Sequence, residues 1–113
     1  MTVAPLTLFM LAALVLMAIG LLGLITRRTL VGMLISVELL LNGAGLSVVA
    51  AAKLTPVSDV AGNHLAAIGQ LAAIFIMGLA AAEATLVLAI MTVVHRRFGA
   101  VTVAELTTLR SVK

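Results

Sequence analysis

The sequence predicts an all-α membrane protein with three transmembrane helices, on the basis of its composition and of three long apolar runs. Of its 113 residues, 64% are hydrophobic and only 10% are charged. The mean hydropathy is +1.34, which is far too apolar for a soluble domain. Each apolar run exceeds the ~20 residues that cross a hydrocarbon core about 30 Å thick. The runs are residues 5–25, 30–52 and 65–94.

The first run, residues 5–25, is expected to stay in the protein as a helix. Residues 1–5 contain no Lys or Arg, and the run is longer than the apolar core of a signal peptide, which is about 7 to 15 residues. The runs at 30–52 and 65–94 supply helices 2 and 3.

The connection between helices 2 and 3 is predicted to cover residues 53–64. This segment is rich in residue types that favour turns and loops: Pro56, Ser58, Asp59, Gly62 and Asn63. Residues 95–113 are predicted to form a cytoplasmic tail, of which residues 98–113 are expected to lie along the cytoplasmic face of a partner. All 113 residues are predicted to form a single membrane domain.

The basic residues predict the orientation of the chain. Arg27 and Arg28 fill the first connection, and only Lys53 lies in the second. Four more follow the third run: Arg96, Arg97, Arg110 and Lys113. Basic residues favour the cytoplasmic side, so the N-terminus is predicted to be outside and the C-terminus cytoplasmic. Because the distribution of the basic residues is explained by this orientation, the net charge of +3 does not indicate a nucleic-acid partner.

Metal and thiol chemistry are not expected in this chain. It has no cysteine, which excludes disulfides and cysteine-ligated metals or clusters. His64 and His95 are too few and too far apart in sequence for a convincing metal site.

Two glutamates lie deep inside apolar runs. Glu38 is eight residues after Leu30, and Glu83 is eleven residues before Val94. At 1.5 Å per residue these depths are about 12 and roughly 16 Å. A carboxylate at the bilayer centre costs at least ~2.5 to 3.5 kcal/mol, so an ionisable group there usually faces protein or a wet cavity. The placement of both predicts proton transfer within the membrane.

The neighbours of each glutamate support this interpretation. Asn42 and Gly45 follow Glu38 by four and seven residues, so they share its helix face. Asn42 is a candidate to support the relay by holding a water or bonding the carboxyl. Glu83 lies among small residues that let helices approach closely, and it is expected to be buried against protein.

Structural roles are the competing interpretation. A buried glutamate or asparagine can simply hydrogen-bond across helices. Arg27 and Arg28 are expected mainly to anchor the topology, with contact to a partner or a lipid headgroup as the alternative.

Several short motifs resemble the K subunit family of proton-pumping NADH:quinone oxidoreductase, respiratory complex I. They include the run Val-Glu-Leu-Leu-Leu-Asn around Glu38, the run Ala-Ala-Ala-Glu-Ala around Glu83, and both Arg pairs in the same order. The matching stretches are residues 26–30, 32–35, 37–42, 69–70, 80–84, 88–90 and 95–97.

The resemblance implies a three-helix subunit of the membrane arm, between the quinone-binding end and the antiporter-like subunits, in a bacterial inner membrane. It implies that Glu38 and Glu83 are proton-transfer residues and that the chain catalyses nothing alone. NADH, flavin, iron–sulfur clusters and most of the quinone pocket would belong to other subunits.

Two other classes remain as alternatives. One is the small subunit of a multisubunit cation/proton antiporter, which also has three helices. The other is a structural or assembly subunit of a membrane complex, in which both glutamates only join helices. A small multidrug exporter fits less well, because that family has four helices and a glutamate in the first, whereas helix 1 here has no acid.

Overall fold

A computed structural model describes residues 3–54, 59–99 and 102–109, and nearly all of these are helical. The elements are α1 (Val3–Thr26), α2 (Leu30–Leu54), α3 (Asp59–Phe98) and α4 (Val103–Leu109). The helices α1, α2 and α3 are each long and apolar enough to cross a membrane. This confirms the predicted class of three transmembrane helices, whereas the side on which each terminus lies stays a prediction.

The helix α2 lies in the middle and packs against both α1 and α3. The molecule measures 63 × 23 × 17 Å, and its smallest dimension is less than two helix diameters of ~10–12 Å each. A slab this thin encloses little, and the buried hydrophobic residues among those whose side chains the structure describes are all alanines: Ala13, Ala50, Ala52, Ala73 and Ala80.

Glycines bring α1 and α2 into close contact. A Cβ atom on Gly20 would lie 2.8 Å from the carbonyl oxygen of Ser36, and a Cβ on Gly43 would lie 2.9 Å from that of Ala13. Backbones therefore approach each other directly, which is how transmembrane helices gain packing energy in lipid.

The connection predicted at residues 53–64 is wrong in extent. Lys53 belongs to α2, and Asp59, Gly62 and Asn63 belong to α3, while Pro56 and Ser58 lie outside the described residues. Polar residues are found at helix ends as well as in loops. Here their composition indicates where α3 leaves the apolar layer, and not where the helix begins.

The predicted tail is also partly helical. Residues 95–98 complete α3, which ends at Phe98, and α4 follows from Val103. Gly99 has a φ of 69°, and its N–H donates to the carbonyl of His95 at 2.9 Å. This is the left-handed helix end that glycine favours. Arg110 and Lys113 lie outside the described residues.

Candidate functional site

The face of α2 that carries Glu38 is the face that packs against α3. Residues seven apart return to the same side of a helix, so Glu38, Gly45 and Ala52 form one stripe. A Cβ on Gly45 would lie 3.9 Å from Cγ2 of Ile76, and a Cβ on Gly69 would overlap Ala52. Both contacts join this stripe to α3.

These contacts set the relative level of the two glutamates. From the first contact to the second, the position on α2 moves forward by seven residues, from 45 to 52. The position on the antiparallel α3 moves back by seven residues, from 76 to 69. The same step in the opposite direction leads from Gly45 to Glu38 and from Ile76 to Glu83. The structure therefore places both carboxyl-bearing residues at one depth, on helices whose axes pack at about 8–10 Å.

The two glutamates differ in exposure but share the absence of an internal partner. Glu38 is half-buried and Glu83 is exposed. Within the described part of the chain, neither carboxyl forms a hydrogen bond or an ion pair. Ser36 is a contrast, because this buried residue satisfies its hydroxyl by donating to the carbonyl of Gly32 at 2.8 Å.

The described part of the chain does not provide the expected burial of Glu83 against protein. Among the described helices, α3 packs mainly against α2, and α1 packs on the other side of α2. Ala80, which faces α2, is too short to shield Glu83. Glu83 is therefore left exposed within the part of the chain that the structure describes.

A groove of about 240 Å³ runs between α2 and α3. Its lining is Leu41, Asn42, Gly45, Leu46 and Val49 from α2 with Ala73, Ile76, Met77 and Ala80 from α3. Asn42 is the one polar side chain among them, and it stands one helical turn from Glu38. The groove thus begins beside the glutamates, with a hydrogen-bonding group at that end.

The arginine pair lies apart from the glutamates. Arg27 and Arg28 are exposed in the turn between α1 and α2. The side chain of Arg27 lies over Gly32, where an added Cβ would meet its Cβ and Cδ at 3.2 Å. Glu38 is eight residues, about 12 Å, into α2, so the structure does not bring these arginines to it.

The sequence interpretation missed a contact at the same end of the molecule. The N–H of Val103 donates to the carbonyl of Arg28 at 3.1 Å, and Thr29 pairs with Thr102 as an antiparallel bridge. The helix α4 therefore folds back on the turn between α1 and α2. The spacing Thr-x-x-Glu at residues 102–105 was a readable signal for the start of α4.

Among the residues that the structure describes, no group of three His, Cys, Asp or Glu side chains is placed to hold a metal ion. His64 and His95 are both exposed and lie 31 residues apart on one helix, which separates them by about 46 Å.

The fold and the site together define a class, that of a multi-pass membrane protein with two carboxyls at one depth on adjacent helices. Residues 8–111 match the family model described as NADH-ubiquinone/plastoquinone oxidoreductase chain 4L. The chain belongs to this family, and the resemblance inferred from its motifs is confirmed.

Similar proteins agree with this assignment. The chain is 43% identical to NADH-quinone oxidoreductase subunit K 1 of Syntrophobacter fumaroxidans over 93% of its own length and 96% of the relative. It is 42% identical to NADH-quinone oxidoreductase subunit K of Nitrosospira multiformis, over 79% and 78% of the two chains. It is 36% identical to the subunit K of a Geobacillus species, over 97% and 99%.

Proposed function

We propose that this chain is a membrane-arm subunit of a proton-pumping NADH:quinone oxidoreductase and that it relays protons between Glu38 and Glu83. The observation that carries the relay is the common depth of the two residues on adjacent helices. A carboxyl accepts and releases a proton, and two carboxyls at one level pass it within the membrane plane. Quinone reduction takes place in other subunits and drives this transfer.

The cost of charge in lipid supports a role for both groups. An acidic side chain near the bilayer centre costs at least about 2.5 kcal/mol. A carboxyl whose role was to join two helices would offset this cost only by forming a hydrogen bond. Because neither carboxyl has a partner in the described part of the chain, joining these helices does not explain them. Transfer of protons does.

Asn42 supports the relay as a water-binding residue. Buried water needs polar partners, and Asn42 offers a donor and an acceptor at the end of the groove nearest Glu38. A water held there bridges toward α3 and lets the two carboxyls exchange protons without direct contact. The apolar remainder of the groove confines the water to this level.

The exposed side of Glu83 supports an assembly. Left in lipid, it would bear the cost of an uncompensated acid, so another membrane subunit covers it. The partners of this chain are then the antiporter-like and quinone-site subunits of the complex, and the lipid bilayer. Arg27 and Arg28 anchor the cytoplasmic end, the N-terminus lies outside, and the membrane is the bacterial inner membrane.

No cofactor is assigned to this chain. NADH, flavin, iron–sulfur clusters and quinone belong to other subunits, which supply the redox chemistry. The residues here hold and move protons only, so the chain has no catalytic activity alone.

The proposal predicts the effect of Glu38→Gln and of Glu83→Gln, each introduced singly. Glutamine keeps the size and hydrogen bonding of the side chain but does not take part in proton transfer. We expect quinone reduction and proton uptake in membrane vesicles to fall together by about 100-fold, the scale of a lost acid–base group.

The amount of assembled complex is the control for these variants. Normal assembly with both activities lost supports a coupled relay. Normal assembly with both activities retained would mean that the glutamates are structural, and the relay would have to be abandoned.

Replacement of the water-binding side chain is predicted to have a smaller effect. Asn42→Leu removes one hydrogen-bonding group beside Glu38, and we expect proton uptake to slow by about 10-fold, as for the loss of one hydrogen bond to a charged group. Asn42→Gln is the matched control because it keeps the amide, and it should retain most of the rate. Equal rates in the two variants would remove Asn42 from the relay.

A further inference from the structure

The return of α4 to the turn between α1 and α2 joins two helix starts. Thr29 caps α2, because its hydroxyl oxygen accepts the N–H of Gly32 at 3.2 Å. Thr102 pairs with it across an antiparallel bridge, supported by the bond from the N–H of Val103 to the carbonyl of Arg28 at 3.1 Å. We call Thr29, Thr102, Val103 and Glu105 the clasp.

The α4 side of the clasp is held by reciprocal caps. The N–H of Thr102 donates to Oε2 of Glu105 at 2.9 Å, and the N–H of Glu105 donates to Oγ1 of Thr102 at 3.3 Å. Two otherwise unpaired backbone donors at a helix start are satisfied in this way. The backbone at Thr102 is therefore held in place by α4 itself, independently of its pairing with Thr29.

The clasp and the glycine contacts lie on opposite sides of the glutamates. Gly45 and Gly69 fix α2 against α3 toward one end of the helices. The clasp lies at the other end, because it joins the start of α2 to Thr102 and Val103, which follow the last residue of α3 by four and five residues. Glu38 and Glu83 thus lie between two fixed points.

We propose that the clasp positions the proton relay by holding the two carboxyls at one depth. Thr102, Val103 and Glu105 are positioning residues, which act through the register of α2 against α3 and contact no proton path themselves. This inference rests on the proposed function, since a common depth matters only if a proton passes between the glutamates.

The first experiment tests whether the clasp exists in the assembled complex. In the bridge, Thr29 and Thr102 form the pair without mutual hydrogen bonds, for which the Cα atoms are about 4.5 Å apart. This lies within the span of a disulfide, about 4.4–6.8 Å. We expect Thr29→Cys with Thr102→Cys to form an intrachain disulfide under mild oxidation, detected by the mobility of this subunit, which has no other cysteine.

The second experiment weakens the clasp without removing α4. Val103 is the first residue of α4, where proline is well tolerated, so Val103→Pro deletes the N–H that reaches Arg28. Loss of one hydrogen bond should shift the closed clasp toward the open form by about 3- to 10-fold. We expect slower disulfide formation in the double-cysteine protein, together with a parallel fall in quinone reduction and proton uptake. Val103→Ala keeps the N–H and should change neither.

Rescue separates positioning from general damage. In the variant that combines Val103→Pro with both cysteines, oxidation should restore quinone reduction and proton uptake together, and reduction of the disulfide should lower both again. The reduced double-cysteine protein is the reference, because both substitutions remove a capping hydroxyl.

Each failure has a distinct result. No disulfide in a normally assembled complex would overturn the clasp. If the disulfide forms and Val103→Pro leaves quinone reduction and proton uptake unchanged, while Glu38→Gln lowers both, the positioning role alone would be overturned. Pumping that survives Glu38→Gln and Glu83→Gln would overturn the proposed function instead, and the disulfide would still report the clasp.

Discussion

The double variant Glu38→Gln with Glu83→Gln is expected to lower proton uptake by about 100-fold, no further than the more severe single variant. Residues that act as one unit are strongly non-additive, because removing either member already stops the process. Two carboxyls that lowered one rate-limiting barrier independently of each other would instead multiply their losses, to about 10,000-fold if each single loss is about 100-fold. The comparison of the three variants in vesicles therefore measures whether the carboxyls act in series.

The amount of assembled complex is the control for this prediction, measured for the double variant and for both single variants. A multiplied loss in the double variant, with normal assembly in all three, would contradict a relay in series.

The sequence predicted the three spans because apolar length alone determines them. It predicted less well where α3 begins, since Asp59 and Asn63 suit a helix end and a loop equally. Hydropathy reports where a helix leaves the lipid, whereas backbone hydrogen bonds determine where it starts. The α3 helix of 40 residues, about 60 Å long, extends well beyond the apolar layer.

The common depth of the two glutamates could be determined only from the structure, for a different reason. Counting from the ends of the apolar runs gave Glu38 and Glu83 depths that differ by about 4 Å. The contacts of Gly45 with Ile76 and of Ala52 with Gly69 remove that difference, because they set the register between helices. A register depends on which small residues meet, and one sequence does not show the pairs.

Only one side of the clasp, the start of α4, could be predicted from the sequence. The spacing of Thr102 and Glu105 indicates a helix start. The partner of this helix start could not be predicted from the sequence, because the bridge pairs the backbones of Thr29 and Thr102, which are separated by most of the chain. Backbone pairing of a single residue leaves no side-chain pattern.

The packing between α1 and α2 leads to the largest expected effect on stability, that of Gly43→Ala. Alanine favours a helix over glycine by about 1 kcal/mol, which alone would stabilise α2. At this position, however, the new Cβ would lie 2.6 Å from Cγ of Met17 and 2.9 Å from the carbonyl oxygen of Ala13. A backbone atom cannot move aside as a side chain does, so we expect a net loss of about 1–3 kcal/mol, as for an overpacked core.

Gly45→Ala is the control, with the same substitution two residues further along α2, on the opposite face. Its Cβ would meet only Ile76, at 3.9 Å, which is ordinary contact, so the helix preference of alanine should leave stability unchanged or slightly raised. The midpoint of heat inactivation and the amount of this subunit retained in the complex measure both variants. Equal midpoints would mean that α1 and α2 do not approach as closely at Gly43 as the structure has them. If only Gly43→Ala is impaired, the close contact between α1 and α2 at Gly43 is supported. That contact keeps the opposite face of α2, which carries Glu38, directed at α3.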